Sequence, residues 1–297
     1  MPTADQKSGA CKATFLLLVL TAERKNMNSF MSWVGGKKNL RDEVLARFPP
    51  YYERYIEVFG GAGWVLFHKP PGADFEVYND FNSNLANLYR CVRDKPAKLK
   101  YKLRYVLDSR EDFEYLALLH KRGILPRLYD VDRAAKFYQL IRYSYASGLD
   151  SFGSQPHSIW SDFPMIDLAA RRLQKVVIEN KDFEKLVRQY DRPVSFFYCD
   201  PPYFATENYY KDVGFTAKDH IRLRDTLLEI KGKFLVSYND CPEIREIWDK
   251  PNIHIEEISR LNNLAQRYDA GCQYGELLIS NYDTSERAKA IKQLSLF

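Results

Sequence analysis

The chain has 297 residues, a formal net charge of +5 and 45% hydrophobic residues. At roughly 150 residues per domain, this length predicts two domains or one large domain with an insertion. The composition excludes a collagen-like, coiled-coil or wholly disordered chain. The excess of positive charge is mild, so it permits a polyanionic partner without requiring one. Aromatic residues make up 14% of the chain, which allows stacking surfaces, although most of these rings are expected in the core.

The cysteines and histidines indicate no special site. The five cysteines include no Cys-x-x-Cys pair and the five histidines show no ligand spacing, so we expect neither a disulfide framework nor a metal. A reducing, cytoplasmic compartment fits this pattern. The apolar run 13–22 is shorter than the about 20 residues that span a bilayer, so no membrane association is predicted. We interpret residues 1–26 as a non-native or disordered leader, with the true start at Met27.

After the leader, short apolar segments alternate with amphipathic ones, which predicts an α/β domain with a mostly parallel sheet. The strands expected in this sheet are 54–58, 75–78, 176–179, 195–199 and 234–238. Two later strands, 253–261 and 275–282, flank the loop 262–274. We expect them to pair antiparallel at one edge of the sheet.

A long stretch between about residues 82 and 175 has no convincing strand. Helical periodicity dominates there, in 84–93, 97–106 and 131–145. We therefore predict a helical domain, 83–175, inserted between the two parts of the sheet domain, 27–82 and 176–297.

A glycine-rich segment, Phe59-Gly60-Gly61-Ala62-Gly63, follows the first predicted strand. Glycines let the backbone turn sharply and approach a ligand closely, although such a segment is often only a turn. Asp80 follows the second predicted strand and lies 17 residues after Gly63, close to the spacing at which an acidic residue binds ribose hydroxyls. Together these features favour an adenosine-containing cofactor. The spacing is not G-x-G-x-x-G, so a nicotinamide cofactor is less favoured than another nucleoside.

A second motif, Asp200-Pro201-Pro202-Tyr203, follows the most apolar strand, at the end where open α/β sheets bind ligands. Two consecutive prolines remove N–H donors and leave carbonyl acceptors beside a carboxylate and an aromatic ring. This combination fits an exocyclic amine, with Tyr203 stacking on the heterocycle that carries it. The alternative is a turn that only ends the strand.

These motifs, in this order, resemble those of the Dam-type (D12 class) family of DNA adenine-N6 methyltransferases over most of residues 32–283. The segment 33–37, Trp-Val-Gly-Gly-Lys, resembles the family's N-terminal cofactor motif, and 56–63 resembles its glycine-rich loop. Asp80 falls at the ribose-binding acid and 200–203 at the catalytic tetrapeptide. The segment 275–279 is similar to a late strand with an acidic start.

The resemblance implies a Rossmann-like S-adenosylmethionine-dependent methyltransferase sheet with an inserted helical target-recognition domain. It implies methyl transfer from S-adenosylmethionine to the N6 amine of an adenine in a specific duplex DNA sequence, by base flipping and direct in-line attack. No metal is implied. The implied catalytic residues are Asp200, Pro201, Pro202 and Tyr203. The implied cofactor contacts are Trp33, Lys37, Phe59, Gly60, Gly61, Gly63, Asp80 and Asp200.

DNA contacts are expected in two places. The segment 142–148 is similar to the family's Arg-Tyr-x-Tyr-Asn-Gly stretch, so Arg142 and Tyr145 are candidates, but an extra residue and Ser147 in place of Asn leave the recognition sequence open. Arg260 and Arg267, beside and within the loop 262–274, are candidate phosphate contacts. We expect a bacterial or phage-encoded monomer that acts on double-stranded DNA, with or without a cognate restriction endonuclease.

Three alternatives remain at this point: methylation of cytosine N4, methylation of adenine in RNA, and a catalytically inactive DNA-binding protein. Asp200 favours adenine, because serine at that position more often marks enzymes that act on cytosine. The intact tetrapeptide, glycine-rich segment and Asp80 argue against an inactive protein.

Overall fold

The computed structural model of the chain describes residues 27–153, 157–206, 214–261, 273–287 and 289, without the side chains of 259–261, 273 and 274. The predicted leader 1–26 lies outside these residues, as does most of the loop 262–274. Seven strands form one sheet: β1 (Arg54–Glu57), β2 (Phe75–Asn79), β3 (Val176–Glu179), β4 (Ser195–Cys199), β5 (Lys233–Asn239), β6 (His254–Leu261) and β7 (Gln273–Ser280).

The strand order in the sheet is β3-β2-β1-β4-β5-β7-β6. The first five strands are mutually parallel, and β7 runs antiparallel to both β5 and β6. This arrangement confirms the predicted α/β class, and the strand ends differ from the predicted ones by no more than two residues. The late antiparallel pair is also confirmed, with β6 as the edge strand and β7 inside the sheet.

Ten α-helices lie in the described part of the chain, and none of them is long and apolar enough to cross a membrane. They are α1 (Arg41–Ala46), α2 (Trp64–His68), α3 (Ser83–Asp94), α4 (Pro96–Leu103), α5 (Arg110–Lys121), α6 (Asp130–Tyr143), α7 (Phe163–Leu173), α8 (Phe183–Tyr190), α9 (Ala217–Leu228) and α10 (Pro242–Trp248). Helices therefore dominate 83–175, as the periodicity indicates.

Two helices of that segment, α5 and α7, were not predicted, although each has a start signal. Ser109 caps α5 by accepting a hydrogen bond from the Asp112 N–H (3.3 Å), and a proline opens α7. The predicted helix 131–145 is two residues too long. It ends at Tyr143 because Ser144 is extended and Ala146 has a left-handed φ of 49°. The predicted helix 97–106 likewise ends early, at Leu103.

Alternate residues of each strand face opposite sides of the sheet, so the sheet separates two hydrophobic cores. On β1, Tyr55 faces the core formed with α3–α7, whereas Ile56 faces the core formed with α8–α10. The helices of 83–175 thus pack directly on one face of the sheet. A buried ion pair fixes this packing, because the Arg172 guanidinium of α7 donates to both carboxylate oxygens of Glu76 on β2 (2.6 and 3.0 Å).

Candidate active site

The glycine-rich segment and the motif 200–203 follow the carboxyl ends of two neighbouring strands in the sheet. Strands β1 and β4 are parallel neighbours, and the Val58 N–H donates to the Tyr198 carbonyl at 2.9 Å, just beyond the end of β1. From β1 the chain proceeds to β2 and β3 on one side, whereas β4 lies on the other side. In open α/β sheets such a switch in direction opens a crevice at the carboxyl ends of the two strands.

The glycine-rich loop after β1 depends on its glycines. Gly61 and Gly63 have φ values of 49° and 63°, in the left-handed region that favours glycine. A Cβ on Gly60 would collide with the ring of Tyr78. The Tyr78 hydroxyl in turn donates to the Gly61 carbonyl (2.7 Å), so the Tyr78 side chain holds the loop in place. The loop therefore presents backbone rather than side chains to the crevice.

Asp80 follows β2 and contacts this loop. Its Oδ2 accepts from the Gly61 N–H (2.9 Å), and its Oδ1 accepts from the Asn82 N–H (2.7 Å). A carboxylate has about four acceptor sites, so two remain for a ligand. Burial raises the pKa of Asp80 to about 6, against the opposing effect of the two backbone N–H groups. Hydroxyl donors from a ligand would favour the ionised form.

Asp200 follows β4, and its two oxygens have different surroundings. The Lys37 ammonium lies 2.5 Å from Oδ1, and the Ser237 hydroxyl donates to the same oxygen (2.9 Å). No described residue hydrogen-bonds to Oδ2, and the side chain is 17% exposed. Burial raises the pKa of Asp200, while Lys37 counteracts it. One oxygen is thus anchored and the other is open to a donor.

The Tyr203 ring lies beside this pair. The Lys37 ammonium is 4.4 Å from the ring centroid, and the Tyr203 hydroxyl donates to Glu276 Oε2 at 2.8 Å. The next residue, Phe204, is held through its backbone N–H, which donates to Asn239 Oδ1 (3.1 Å). A carboxylate oxygen, an aromatic ring and a glycine-rich loop therefore follow the carboxyl ends of two neighbouring strands, an arrangement that can bring a nucleoside and an amine together.

Comparison with known proteins shows the family of the chain. The profile of the D12 class N6 adenine-specific DNA methyltransferases matches residues 33–263. The chain belongs to this family. It is 29% identical over 286 residues to the type II methyltransferase M1.LlaDCHI of Lactococcus lactis subsp. cremoris, covering 89% of this chain and 99% of that protein.

Two further relatives are named DNA adenine methylase. The protein of Escherichia coli K12 is 26% identical, with 80% of this chain and 89% of that protein covered. The protein of Vibrio cholerae serotype O1 is 27% identical, with 80% and 90% covered. The chain is therefore a DNA adenine methyltransferase, which favours the adenine prediction over cytosine N4 and RNA.

Two other predicted cofactor contacts of the methyltransferase differ in their surroundings. The half-buried Trp33 lies over the loop, where a Cβ on Gly61 would be 3.1 Å from its ring, and it also packs on Phe137. The Phe59 ring packs on the second core, against Phe183 and Phe215. Only the backbone of Phe59 is therefore placed to contribute to the crevice.

The predicted recognition segment follows α6. Its Tyr145 is 58% exposed, while the Arg142 Nε donates to Asp162 (2.8 Å) and Nη2 lies 2.7 Å from His157. Ser147 is linked to the N-terminal motif, because its Oγ lies 2.7 Å from the Oγ of Ser32. This contact brings the segment close to the crevice.

The other two DNA-contact predictions have less structural support. The backbone of Arg260 belongs to β6, opposite residue 274 of β7, whereas Arg267 lies outside the described residues.

Ser237, Asn239 and Glu276 are site residues that the sequence reasoning did not assign. Ser237 and Asn239 belong to β5, which pairs with β4, and Glu276 belongs to β7, the next strand after β5. The rule that directs attention to the ends of neighbouring parallel strands would have found Ser237 and Asn239. Glu276 is part of the late-strand resemblance, but its sequence gives no sign of contact with Tyr203.

Proposed function

We propose that the enzyme transfers the methyl group of S-adenosylmethionine to the N6 amine of an adenine flipped out of a specific duplex DNA sequence. The observation that carries the proposal is the adjacency of β1 and β4, which brings the glycine-rich loop and the open oxygen of Asp200 to one crevice. A nucleoside cofactor on the loop would then lie beside an amine bound at Asp200.

The loop residues fit this cofactor. Gly60, Gly61 and Gly63 let the loop backbone approach an adenosyl group closely, and Asp80 has two acceptor sites left for the ribose hydroxyls. Trp33 and Lys37 are the further contacts that we propose, with Phe59 contributing its backbone. The cofactor supplies a methyl group already activated by a sulfonium, so the protein needs no covalent nucleophile. Cys199 is fully buried, and burial raises the pKa of its thiol.

Asp200 would orient the amine. The N6 lone pair of adenine is delocalised into the ring, which makes the amine a poor nucleophile. Asp200 Oδ2 and the Pro201 carbonyl would accept its two hydrogens, favour a pyramidal nitrogen and stabilise the positive charge that develops during attack. The methylated nitrogen would then release one of these hydrogens as a proton to solvent. Lys37 and Ser237 hold the other oxygen, so the carboxylate is already oriented before the base arrives. Pro202 fixes the backbone between Pro201 and Tyr203.

The target base has to leave the helix, because a buried pocket cannot reach N6 of a stacked, paired adenine. Tyr203 would stack on the flipped base. We propose that residues 83–175 form the target-recognition domain, in which the exposed Tyr145 and Arg142 contact DNA. The hydrogen bonds of Arg142 to described residues use Nε and Nη2. Arg260 and Arg267 would contact phosphates.

We further propose a cytoplasmic enzyme, and a monomer, because the proposed cofactor loop and the proposed amine site both belong to one chain. A relative is named as a type II methyltransferase and others as DNA adenine methylases. The enzyme would accordingly act either beside a cognate restriction endonuclease or alone.

We expect the affinity for S-adenosylmethionine to fall about tenfold from pH 7 to pH 5. Asp80 accepts ribose hydroxyls in its ionised form, and with a pKa of about 6 only about a tenth of it is ionised at pH 5. Calorimetry across this range measures the effect. Asp80→Asn should bind the cofactor weakly with a flat pH profile, and a wild-type profile that is equally flat would contradict the role of Asp80.

The proposed function is tested with S-adenosylmethionine carrying a deuterated methyl group. Residues 27–297 are incubated with duplex DNA or RNA, and the nucleosides are separated by liquid chromatography and mass spectrometry. We expect labelled N6-methyladenine from DNA alone. Labelled N4-methylcytosine, or label in RNA only, would contradict the proposal.

A further inference from the structure

A buried carboxylate, Glu276, lies in the middle of β7 and has no part in the chemistry described so far. Its side chain is 0% exposed, and the next three residues of the strand are apolar. Because it pairs in register with Asn239 on β5 and Ile258 on β6, it lies inside the sheet. Burying a carboxylate costs free energy unless hydrogen bonds compensate it. The hydroxyl of Tyr203 supplies one of these bonds, at 2.8 Å from Oε2.

Tyr203 needs such support. It lies in the loop after Pro202, outside any strand, so the sheet ladder does not fix its ring. Glu276 holds the hydroxyl end of the ring. Asn239, the register partner of Glu276, holds the next residue by accepting from the Phe204 N–H (3.1 Å) and donating to the Phe204 carbonyl (3.4 Å). One pair of residues on adjacent strands therefore anchors two consecutive loop residues.

Resting on the proposed function, we propose that Glu276 is a positioning residue that holds the Tyr203 ring where the target adenine stacks. The ring has one polar end, and the Glu276 hydrogen bond fixes it while Lys37 lies 4.4 Å from the ring centroid. In-line attack requires the amine within about 0.5 Å of its productive position, and a misplacement of about 1 Å can cost about 100-fold in rate. Fixing the ring thus fixes the stacked base and its N6 atom.

A double-mutant cycle tests this role. Tyr203→Phe keeps the ring without its hydroxyl, Glu276→Leu removes the acceptor, and the double variant replaces both partners by apolar groups. We expect each single variant to slow single-turnover methyl transfer about tenfold, and the double variant to be no slower than either. Affinity for S-adenosylmethionine should be unchanged in all three.

A second measurement separates positioning from a general loss of stability. With 2-aminopurine in place of the target adenine, we expect higher fluorescence in complexes of both single variants than of wild type, because a base that stacks less closely on the ring is less quenched. Tyr282→Phe is the matched control. It removes another buried tyrosine hydroxyl, which donates to the Arg47 carbonyl (2.8 Å) in the core, and should lower the melting temperature without changing rate or fluorescence.

Glu276→Gln retains an acceptor oxygen and should restore near wild-type rate and fluorescence. If Glu276→Leu does not fold, Glu276→Gln still tests the proposal. A double variant about 100-fold slower than wild type would overturn the proposal, as would a wild-type rate in Glu276→Leu or a Gln variant as slow as the Tyr203→Phe variant. No transfer by the wild-type enzyme would overturn the proposed function itself. If the wild-type enzyme transfers methyl groups but the effects of Tyr203→Phe and Glu276→Leu on the rate multiply in the double variant, only the role of Glu276 is overturned.

Discussion

Asp200→Ala should reduce methyl transfer about 1,000-fold or more while duplex DNA binding changes less than about threefold. The substitution removes the oxygen that accepts the N6 hydrogen and the negative charge that faces the developing cation, and loss of one such group typically costs 100- to 1,000-fold. It also leaves the buried Lys37 ammonium without its partner at 2.5 Å, which repels the same cation. Transfer is measured under single turnover and DNA binding by fluorescence anisotropy.

Asp240→Ala is the matched control for this prediction. Asp240 follows the neighbouring strand β5, but its carboxylate is 30% exposed and pairs with Arg245. We expect normal transfer from this variant. Retained turnover in Asp200→Ala would remove Asp200 from the mechanism, and a parallel loss of DNA binding would show that the substitution disturbs more than the amine site.

Asp80→Ala should raise the dissociation constant for S-adenosylmethionine about 100-fold, with a much smaller effect on the transfer rate at saturating cofactor. Two hydrogen bonds to a charged acceptor contribute about 1.5 kcal/mol each at the lower end of their range, and every 1.4 kcal/mol is a factor of ten in affinity. The substitution also removes the acceptor of the Gly61 N–H, which loosens the loop. Calorimetry gives the affinity, and single-turnover rates at increasing cofactor give the limiting rate.

Asp74→Ala is the matched control, because Asp74 is exposed and precedes β2, at the amino end of the strand and away from the glycine-rich loop. Its affinity for the cofactor should equal that of wild type. An Asp80→Ala variant that binds the cofactor normally but transfers slowly would move Asp80 from cofactor binding to catalysis.

Local patterns in the sequence account for the strands and for the two motifs of the crevice. The strands that end at Glu57 and Cys199 are short and followed by turn residues, and a parallel sheet places their carboxyl ends side by side. The pairing of β1 with β4 could not be predicted from local patterns. More than a hundred residues separate these strands, so their adjacency follows from the topology and from packing on both faces.

Contacts between distant side chains could not be predicted in the same way. Ser237 hydrogen-bonds to Asp200, and Glu276 hydrogen-bonds to Tyr203, although each pair is far apart in the chain. A single sequence carries no signal for such pairs. Arg142 illustrates the converse. Its position suggests a free cation, yet the structure pairs it with Asp162, twenty residues later in the chain. The sequence thus predicts that a charged residue such as Arg142 has a partner, but only the fold shows that this partner is Asp162.

The most direct test of the central claim is a map of every modified base in DNA from a methylation-free bacterial host that expresses residues 27–297. Single-molecule or nanopore sequencing of that DNA reports both the modified base and its context. We expect N6-methyladenine in one recurring sequence, and none when Asp200→Ala is expressed instead. N4-methylcytosine, or unmodified DNA from cells that contain folded protein able to bind S-adenosylmethionine, would contradict it.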